Sequence, residues 1–482
     1  MSGSIRVRFS GILLFVGNLV TLLTGLIFNV LIARNLQPAV LGTWFFIGSV
    51  IPYFQILEKA IPYWASREIP RGRQVGRTTL LFNLLLSIPI TIIFVLLSNS
   101  LSTAIKAEPR VFMLSSLLIP TYYTSAALTS VTYSTAPHKL GLRTVIIDGV
   151  KIPLALALLP LGLEGVITAV IIGNIAYTTY LYKISQQHLR DSLNTGWLRE
   201  KLKNIWLPLH ESFLGSLSSA TDALIVGLLL TTAELSNYGI ALAIASVMGT
   251  AKGLTGAIYP KLLKSGEATE RELKSLFKFQ HIFITPMVAG GIALAPRIVE
   301  IFGTRYLPAA PLLPLLLFAP AIGMLSLTMK SVITGLEKAD KTSPTTSLHM
   351  TTLFTTQLPA YIYFAILITV TLATIDRLGA FGAAVARLTA SIMAFIPICQ
   401  MYSKVAPLRT AFHGLEKTIP ASLIMVAFLI LINPVGSVQT LASIGFGAGV
   451  YFGTLLVIDK DSRQLAKKAY DEAKRLIITQ SE

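Results

Sequence analysis

Long apolar runs, separated by short polar turns, govern what this chain can fold into. A helix needs roughly 20 predominantly apolar residues to cross a hydrocarbon core about 30 Å thick. Measured with that length, the sequence holds about fourteen candidate spans. The first six are 9–33, 41–65, 78–97, 111–134, 144–161 and 164–184. A polar stretch, 185–204, separates them from 205–230, 236–262, 276–302, 307–335, 351–373, 378–405, 418–432 and 438–458. Backbone groups in lipid must find partners within their own segment, so each run is expected as a helix. The expected fold class is an all-α polytopic membrane protein with about 14 transmembrane helices.

Composition agrees and excludes the rivals. Charged residues are 13% of the 482, against about 25% in soluble globular chains. With 53% hydrophobic residues there is too little polar surface to wrap several water-facing cores. A soluble enzyme, a disordered regulator and a secreted disulfide scaffold are all excluded. Cys399 stands alone, so a disulfide framework and a cysteine-ligated zinc site are excluded too. The first run is too long for a signal-peptide core and no A-x-A site follows it.

A net charge of +17 invites a nucleic-acid reading, and the placement of the charges removes it. If the connections are taken alternately, the side of the N-terminus receives 29 of the 40 lysines and arginines, beginning with Arg6 and Arg8. The opposite side receives six: Arg34, Lys106, Arg110, Arg297, Arg305 and Arg377. Basic loops face the cytoplasm, which places both termini there and requires an even number of spans.

The two halves echo each other. Leu41-Gly-Thr-Trp44 opens the second span and Leu235-Ser-Asn-Tyr238 the eighth. Leu161-Gly-Leu-Glu-Gly-Val166 and Leu378-Gly-Ala-Phe-Gly-Ala383 open the sixth and twelfth. Both members of each pair fall on one side, which describes a parallel repeat of six spans plus six. The alternative is that short glycine-rich turns look alike by chance. The expected domains are an N-terminal six-helix lobe (1–184), a cytoplasmic linker (185–204), a C-terminal six-helix lobe (205–405), two extra helices (406–458) and a cytoplasmic amphipathic tail (459–482).

Ionisable groups at membrane depth cost roughly 2.5–3.5 kcal/mol each on insertion scales, so they mark function or a partner. Lys59, Lys151, Lys252 and Lys330 fall in the cytoplasmic third of their spans, and Arg387 lies deeper. Lysine offers a compact charge and arginine a bidentate fork for phosphate oxygens. These five, with Arg34, are the candidate phosphate-binding residues. Snorkelling of the lysines toward the interface is the structural rival, and for Arg387 it is pairing with an acid such as Asp222. Asp222, Asp148 and Glu58 are candidates for a coupling H+ or Na+, because a lone buried carboxylate readily takes a proton. Asp148 and Lys151, three apart on one helix face, can also neutralise each other.

Tyr122, Tyr123 and Tyr361 are candidates for stacking on sugar rings, with an interfacial aromatic belt as the alternative. Prolines inside spans, Pro89 and Pro153 among them, break the hydrogen-bond ladder and serve as hinges or as ordinary kinks. No cofactor, metal or catalytic residue is expected. His210-Glu211 lacks the second histidine of a zinc motif, and no phosphate-binding G-x-x-x-x-G-K-[ST] loop exists. Asp459-Lys-Asp461 has the form of a metal–nucleotide-sugar motif, but no soluble domain surrounds it.

Several motifs carry a resemblance. Asp222-Ala-Leu-Ile-Val-Gly227 with Leu235, Tyr238 and Ala241 resembles the seventh-to-eighth span signature of the polysaccharide transporter family. That family belongs to the multidrug/oligosaccharidyl-lipid/polysaccharide flippase superfamily. Leu31-Ile-Ala-Arg-Asn-Leu36 with Leu41-Gly-Thr-Trp44 is similar to the end of its first span. Gly379-Ala-Phe-Gly-Ala-Ala384 is similar to its twelfth span, and Thr334-Gly-Leu-Glu-Lys-Ala-Asp340 to the turn after its tenth. Gln37-Pro38 and Ser236 depart from its usual Gly-Pro and Gly.

The resemblance implies a two-lobed, V-shaped bundle with a central cavity in the plasma membrane, acting as a monomer. Its substrate would be a polyprenyl-(di)phosphate-linked oligosaccharide moved to the outer leaflet by alternating access. The lipid tail would stay in the bilayer or in a groove lined by the last two spans. The alternatives are a cation-coupled multidrug exporter of the same superfamily and a membrane-embedded glycosyltransferase or ligase. The first would want an acidic cavity, the second a large extramembrane loop.

Overall fold

The structure is a computed structural model that describes residues 23–251, 268–336 and 355–464. Among these residues every regular element is helical. Lys252, Arg6 and Arg8, and the amphipathic tail from 465 onward lie outside the described residues.

In chain order the helices begin with α1 (Leu23–Asn35), α2 (Pro38–Phe54), α3 (Pro62–Glu68), α4 (Gly76–Ala104), α5 (Pro109–Ser115) and α6 (Leu118–Thr135). They continue as α7 (Arg143–Leu158), α8 (Gly162–Ser185), α9 (Thr195–Lys203), α10 (Trp206–Leu229) and α11 (Thr232–Ser246). After the undescribed stretch come α12 (Glu270–Ala293), α13 (Ala295–Glu300), α14 (Leu313–Gly335), α15 (Leu358–Leu378), α16 (Ala380–Ser403), α17 (Leu415–Ile432) and α18 (Gly436–Ile458).

Local signals place the starts. Proline sits in the first turn of α2, α3 and α5, where its missing N–H has no intrahelical partner to lose. Thr231 with Glu234 and Thr269 with Glu272 form capping boxes that open α11 and α12. Gly162 takes φ 61° between α7 and α8, a left-handed conformation that glycine adopts without a Cβ clash. The two helices then fold back along each other: Gly165 lies against Leu158 and Gly173 against Ile147 and Lys151.

Each expected apolar run contains a helix. By length and apolarity alone, ten stretches among the described residues can cross a membrane, or eleven if α2 and the segment Ile56–Arg71, bent by 44°, form one span. The number is lower than about fourteen because only described residues are counted and neighbouring helices merge or end short. The hairpin α7–α8 lies within one continuous helical stretch, Pro137–Leu189. The described part of α1 is short, and α11 ends after 15 residues in a 3-10 turn, Val247–Ala251.

Polarity along α4 is inverted relative to a water-soluble helix. Leu85, Ile88, Ile92 and Leu96 form its exposed stripe, while Asn83, Ser87, Ser98 and Ser102 are buried. In lipid the apolar face looks outward, and small polar residues let backbones approach and hydrogen-bond inside. This is a multi-pass membrane protein.

The chain forms two compact units, Met1–Gly253 with Leu358–Ala394, and Leu254–Gln357 with Phe395–Glu482. In the first, α2 and α11, which carry one of the echoed pairs, lie side by side. A Cβ on Gly42 would stand 1.8 Å from the Thr232 carbonyl oxygen, and one on Gly239 would stand 2.3 Å from the Phe45 ring. In the second unit, α12 packs on α17 and α18 around Ile282, Leu294, Ala421, Met425, Leu429, Tyr451 and Leu455.

Overpacking a tight backbone contact costs typically 1–3 kcal/mol or more. Gly42→Ala is therefore expected to lower the melting temperature of the purified protein by several degrees. Gly48→Ala, whose Cβ would meet nothing within 4 Å, is expected to leave it unchanged.

Candidate functional site

Asp222 lies on α10, where a single carboxylate in an apolar helix must be paired or lose its charge. Three groups reach it. Its Oδ2 accepts from the Arg387 guanidinium of α16 and, at 2.5 Å, from the Tyr238 hydroxyl of α11. Its Oδ1 accepts from the Ala223 backbone N–H at 2.9 Å. Asp222 is wholly buried (0%), whereas 20% of the Arg387 side-chain surface is open. Tyr363 of α15 stands within electrostatic range of both charges. Of the two charges in this buried cluster, the guanidinium is the one with open surface.

Polar contacts continue along α10. Thr221 meets the Tyr53 hydroxyl of α2 at 2.7 Å, and Ser216 donates to the Pro52 carbonyl at 2.9 Å. His210 meets the hydroxyl of Tyr361, whose ring is exposed.

The other expected residues are placed as follows. Lys151 and Asp148 form an ion pair at 2.5 Å, one turn apart on α7. Thr24 donates to the same carboxylate, and the Lys151 ammonium sits 4.4 Å above the Phe28 ring. A neutralised lysine with an aromatic lid stabilises the packing of α1 on α7. Lys59 is exposed and Glu58 half-buried on the 3-10 turn Ile56–Lys59. Asn83 of α4 ties that turn to α6 by donating to the carbonyls of Glu58 and Tyr123. Tyr123 is fully buried and donates to the Phe54 carbonyl at 2.7 Å, which leaves its ring no open face for a sugar. Tyr122 is half-buried. Lys330 donates to Gln357 at 2.7 Å in the second unit, and Arg34 is exposed at the end of α1. The structure brings Arg387 and Asp222 together, and Asp148 and Lys151. The other described candidates are placed apart from both clusters.

Two buried charge networks were not foreseen. Lys278 of α12, itself buried, donates to Asp459 and Asp461 at 2.9 and 3.0 Å. The Asp459-Lys-Asp461 motif is thus a clamp on a lysine about 180 positions earlier. Lys201 of α9 reaches Glu68 at 3.2 Å and Glu200 at 2.8 Å, and Arg73 pairs with Glu68 at 3.0 Å. Burial pushes the Lys201 ammonium down, but its hydrogen bonds to Glu200 and Glu68 outweigh this and its pKa is raised. Trp197 packs with Ile61, Ala65 and Val75 beneath this network, so the polar linker contains a helix docked on α3. The missed signal was local: Trp197 and Lys201, four apart, share one face of a short basic helix.

The protein-family model described as "Polysaccharide biosynthesis protein" matches residues 71–311, half of the chain. The chain belongs to that family. No curated protein sequence matches it. Among solved structures it is similar to "Lipid II flippase MurJ, inward closed conformation", with a TM-score of 0.76 and 15% identity over 93% of this chain and 99% of that one. It is also similar to the Vibrio cholerae MATE transporter VcmN in its bent form (TM-score 0.53, 16% identity, 84% and 98% covered). The eukaryotic MATE transporter AtDTX14 gives a TM-score of 0.55 at 12% identity, with 86% and 99% covered. At such identities the likeness is one of fold: these proteins share the architecture of this member of the polysaccharide biosynthesis family.

Asp459, beyond the end of α18, gives a pH test of the clamp. Burial pushes its carboxyl up, but hydrogen bonds from Lys278 and Ser462 outweigh this and the net direction is down. A carboxyl lowered by folding stabilises the fold above its unfolded pKa, about 3.9, and loses that contribution as pH falls below it. Asp459→Asn is expected to melt several degrees lower than wild type at pH 7. The difference is expected to shrink below about pH 4.

Proposed function

We propose that this protein is a flippase that moves a polyprenyl-(di)phosphate-linked oligosaccharide from the cytoplasmic to the outer leaflet of the plasma membrane by alternating access. The observation that carries the proposal is Arg387, a permanent cation deep among apolar helices with part of its side chain open. A diphosphate head group cannot cross hydrocarbon unaccompanied, and a guanidinium fork is the side chain best matched to its oxygens. Membership of a polysaccharide biosynthesis family supplies the sugar, and the fold shared with a protein named for lipid II flipping supplies the movement.

Lys59, exposed in the cytoplasmic third of its span, is proposed to meet the head group before it reaches Arg387, and Arg34, exposed on the opposite side, to meet it afterwards. The exposed ring of Tyr361 is proposed to contact the glycan. An exporter of cationic drugs would place an acid at this opening, whereas here the carboxylate is hidden and the arginine faces out.

Reconstitution in liposomes tests the reading. With a fluorescent polyprenyl-diphosphate sugar in the inner leaflet, wild type is expected to deliver it to the outer leaflet. The double variant Arg387→Ala, Asp222→Asn, which keeps the cluster neutral, is expected to be at least about tenfold slower, as for loss of one charge-assisted contact. Absence of lipid-sugar movement, with efflux of small organic cations instead, would replace this reading by the drug-exporter one.

A further inference from the structure

The Arg387–Asp222 pair is asymmetric in two respects. Only Arg387 is open, so an anion approaching the cluster reaches the guanidinium and never the carboxylate. Asp222 also has other donors. Arg387 gives it Nη1 alone, while Tyr238 O–H and Ala223 N–H remain on the carboxylate if the guanidinium turns away. An arginine has five N–H donors in a planar fork, and a single carboxylate oxygen does not fill it.

Resting on the flippase reading, we infer that Asp222 is the resident counter-anion of Arg387, displaced by the substrate's diphosphate and displacing it again on release. The exchange solves a problem that any phosphate carrier in a membrane faces. An empty cationic site would be a buried, unpaired charge, and a site that only attracts would not let go. With Asp222 in place the empty cluster is neutral. When the fork turns to the diphosphate, Tyr238 and Ala223 keep the carboxylate hydrogen-bonded, which limits the penalty of leaving it buried.

Specificity follows from the same competition. A neutral glycolipid offers Arg387 nothing in exchange for Asp222. A monoanion merely swaps one carboxylate-like partner for another. A diphosphate adds charge and a second acceptor for the fork. Tyr53 and Tyr363, the other titratable neighbours of Asp222, are uncharged hydroxyls that leave this balance to the pair itself.

The exchange assigns opposite signs to two substitutions, which a merely structural ion pair does not. Asp222→Asn removes the competitor, so the affinity for an anionic head group rises. Tyr238→Phe keeps the ion pair but removes the donor that stabilises the released carboxylate, so affinity falls. The full-length protein, purified in detergent, would be titrated with farnesyl diphosphate. Relative to wild type, Asp222→Asn is expected to bind about tenfold more tightly or better, and Tyr238→Phe several-fold more weakly, in line with single charge-assisted hydrogen bonds. Tyr238→Phe retains both charges and so carries the test even where Asp222→Asn does not fold. Wild-type binding with unchanged affinity in the variants overturns the exchange alone. Absence of diphosphate binding in every form overturns the diphosphate reading as well.

Discussion

A buried charge must have a partner, and this requirement shapes the charged clusters among the described residues. Asp222 meets Arg387, Tyr238 and the backbone. Asp148 meets Lys151 and Thr24. Lys278 meets two aspartates at the end of the last span. Each cluster joins helices that lie far apart in the chain or crosses one turn of a single helix. Because breaking a buried pair exposes the survivor to the full desolvation penalty, these clusters also fix which helices are neighbours.

Between them, packing rests on small residues. Gly42 sits on the backbone of Thr232, Gly165 on that of Leu158 and Gly382 on that of Thr374. Without water to drive apolar association inside a bilayer, close backbone approach and dispersion replace the hydrophobic effect. Large side chains are then free to face lipid, as on α4 and on α18, where Val438, Leu441, Phe446 and Val457 are exposed. The bundle is held by its smallest residues and covered by its largest.

Function draws on the tension between these two rules. A purely apolar bundle has nothing to offer a phosphate, and an open cationic bundle would not be stable. Arg387 reconciles them, since its internal partner keeps the cluster neutral while its outer edge remains reachable. The proposed exchange is the chemistry that such an arrangement permits.

The sequence alone determined the all-helical membrane fold, because a span is recorded locally as about 20 consecutive residues compatible with lipid. It also flagged Arg387, Asp222, Asp148 and Lys151 by their sheer cost at depth. The Asp148–Lys151 pair was legible from its spacing, whereas tertiary structure decided which long-range pairs form. Arg387 finds Asp222 across 165 positions and Lys278 finds Asp459 across 181. It likewise buried Tyr123 against the Phe54 carbonyl and left Tyr361 exposed, although both are tyrosines in apolar runs. Hydropathy is a property of a stretch, whereas an ion pair is a property of two stretches brought together. No local pattern can record which distant partner the packing will supply.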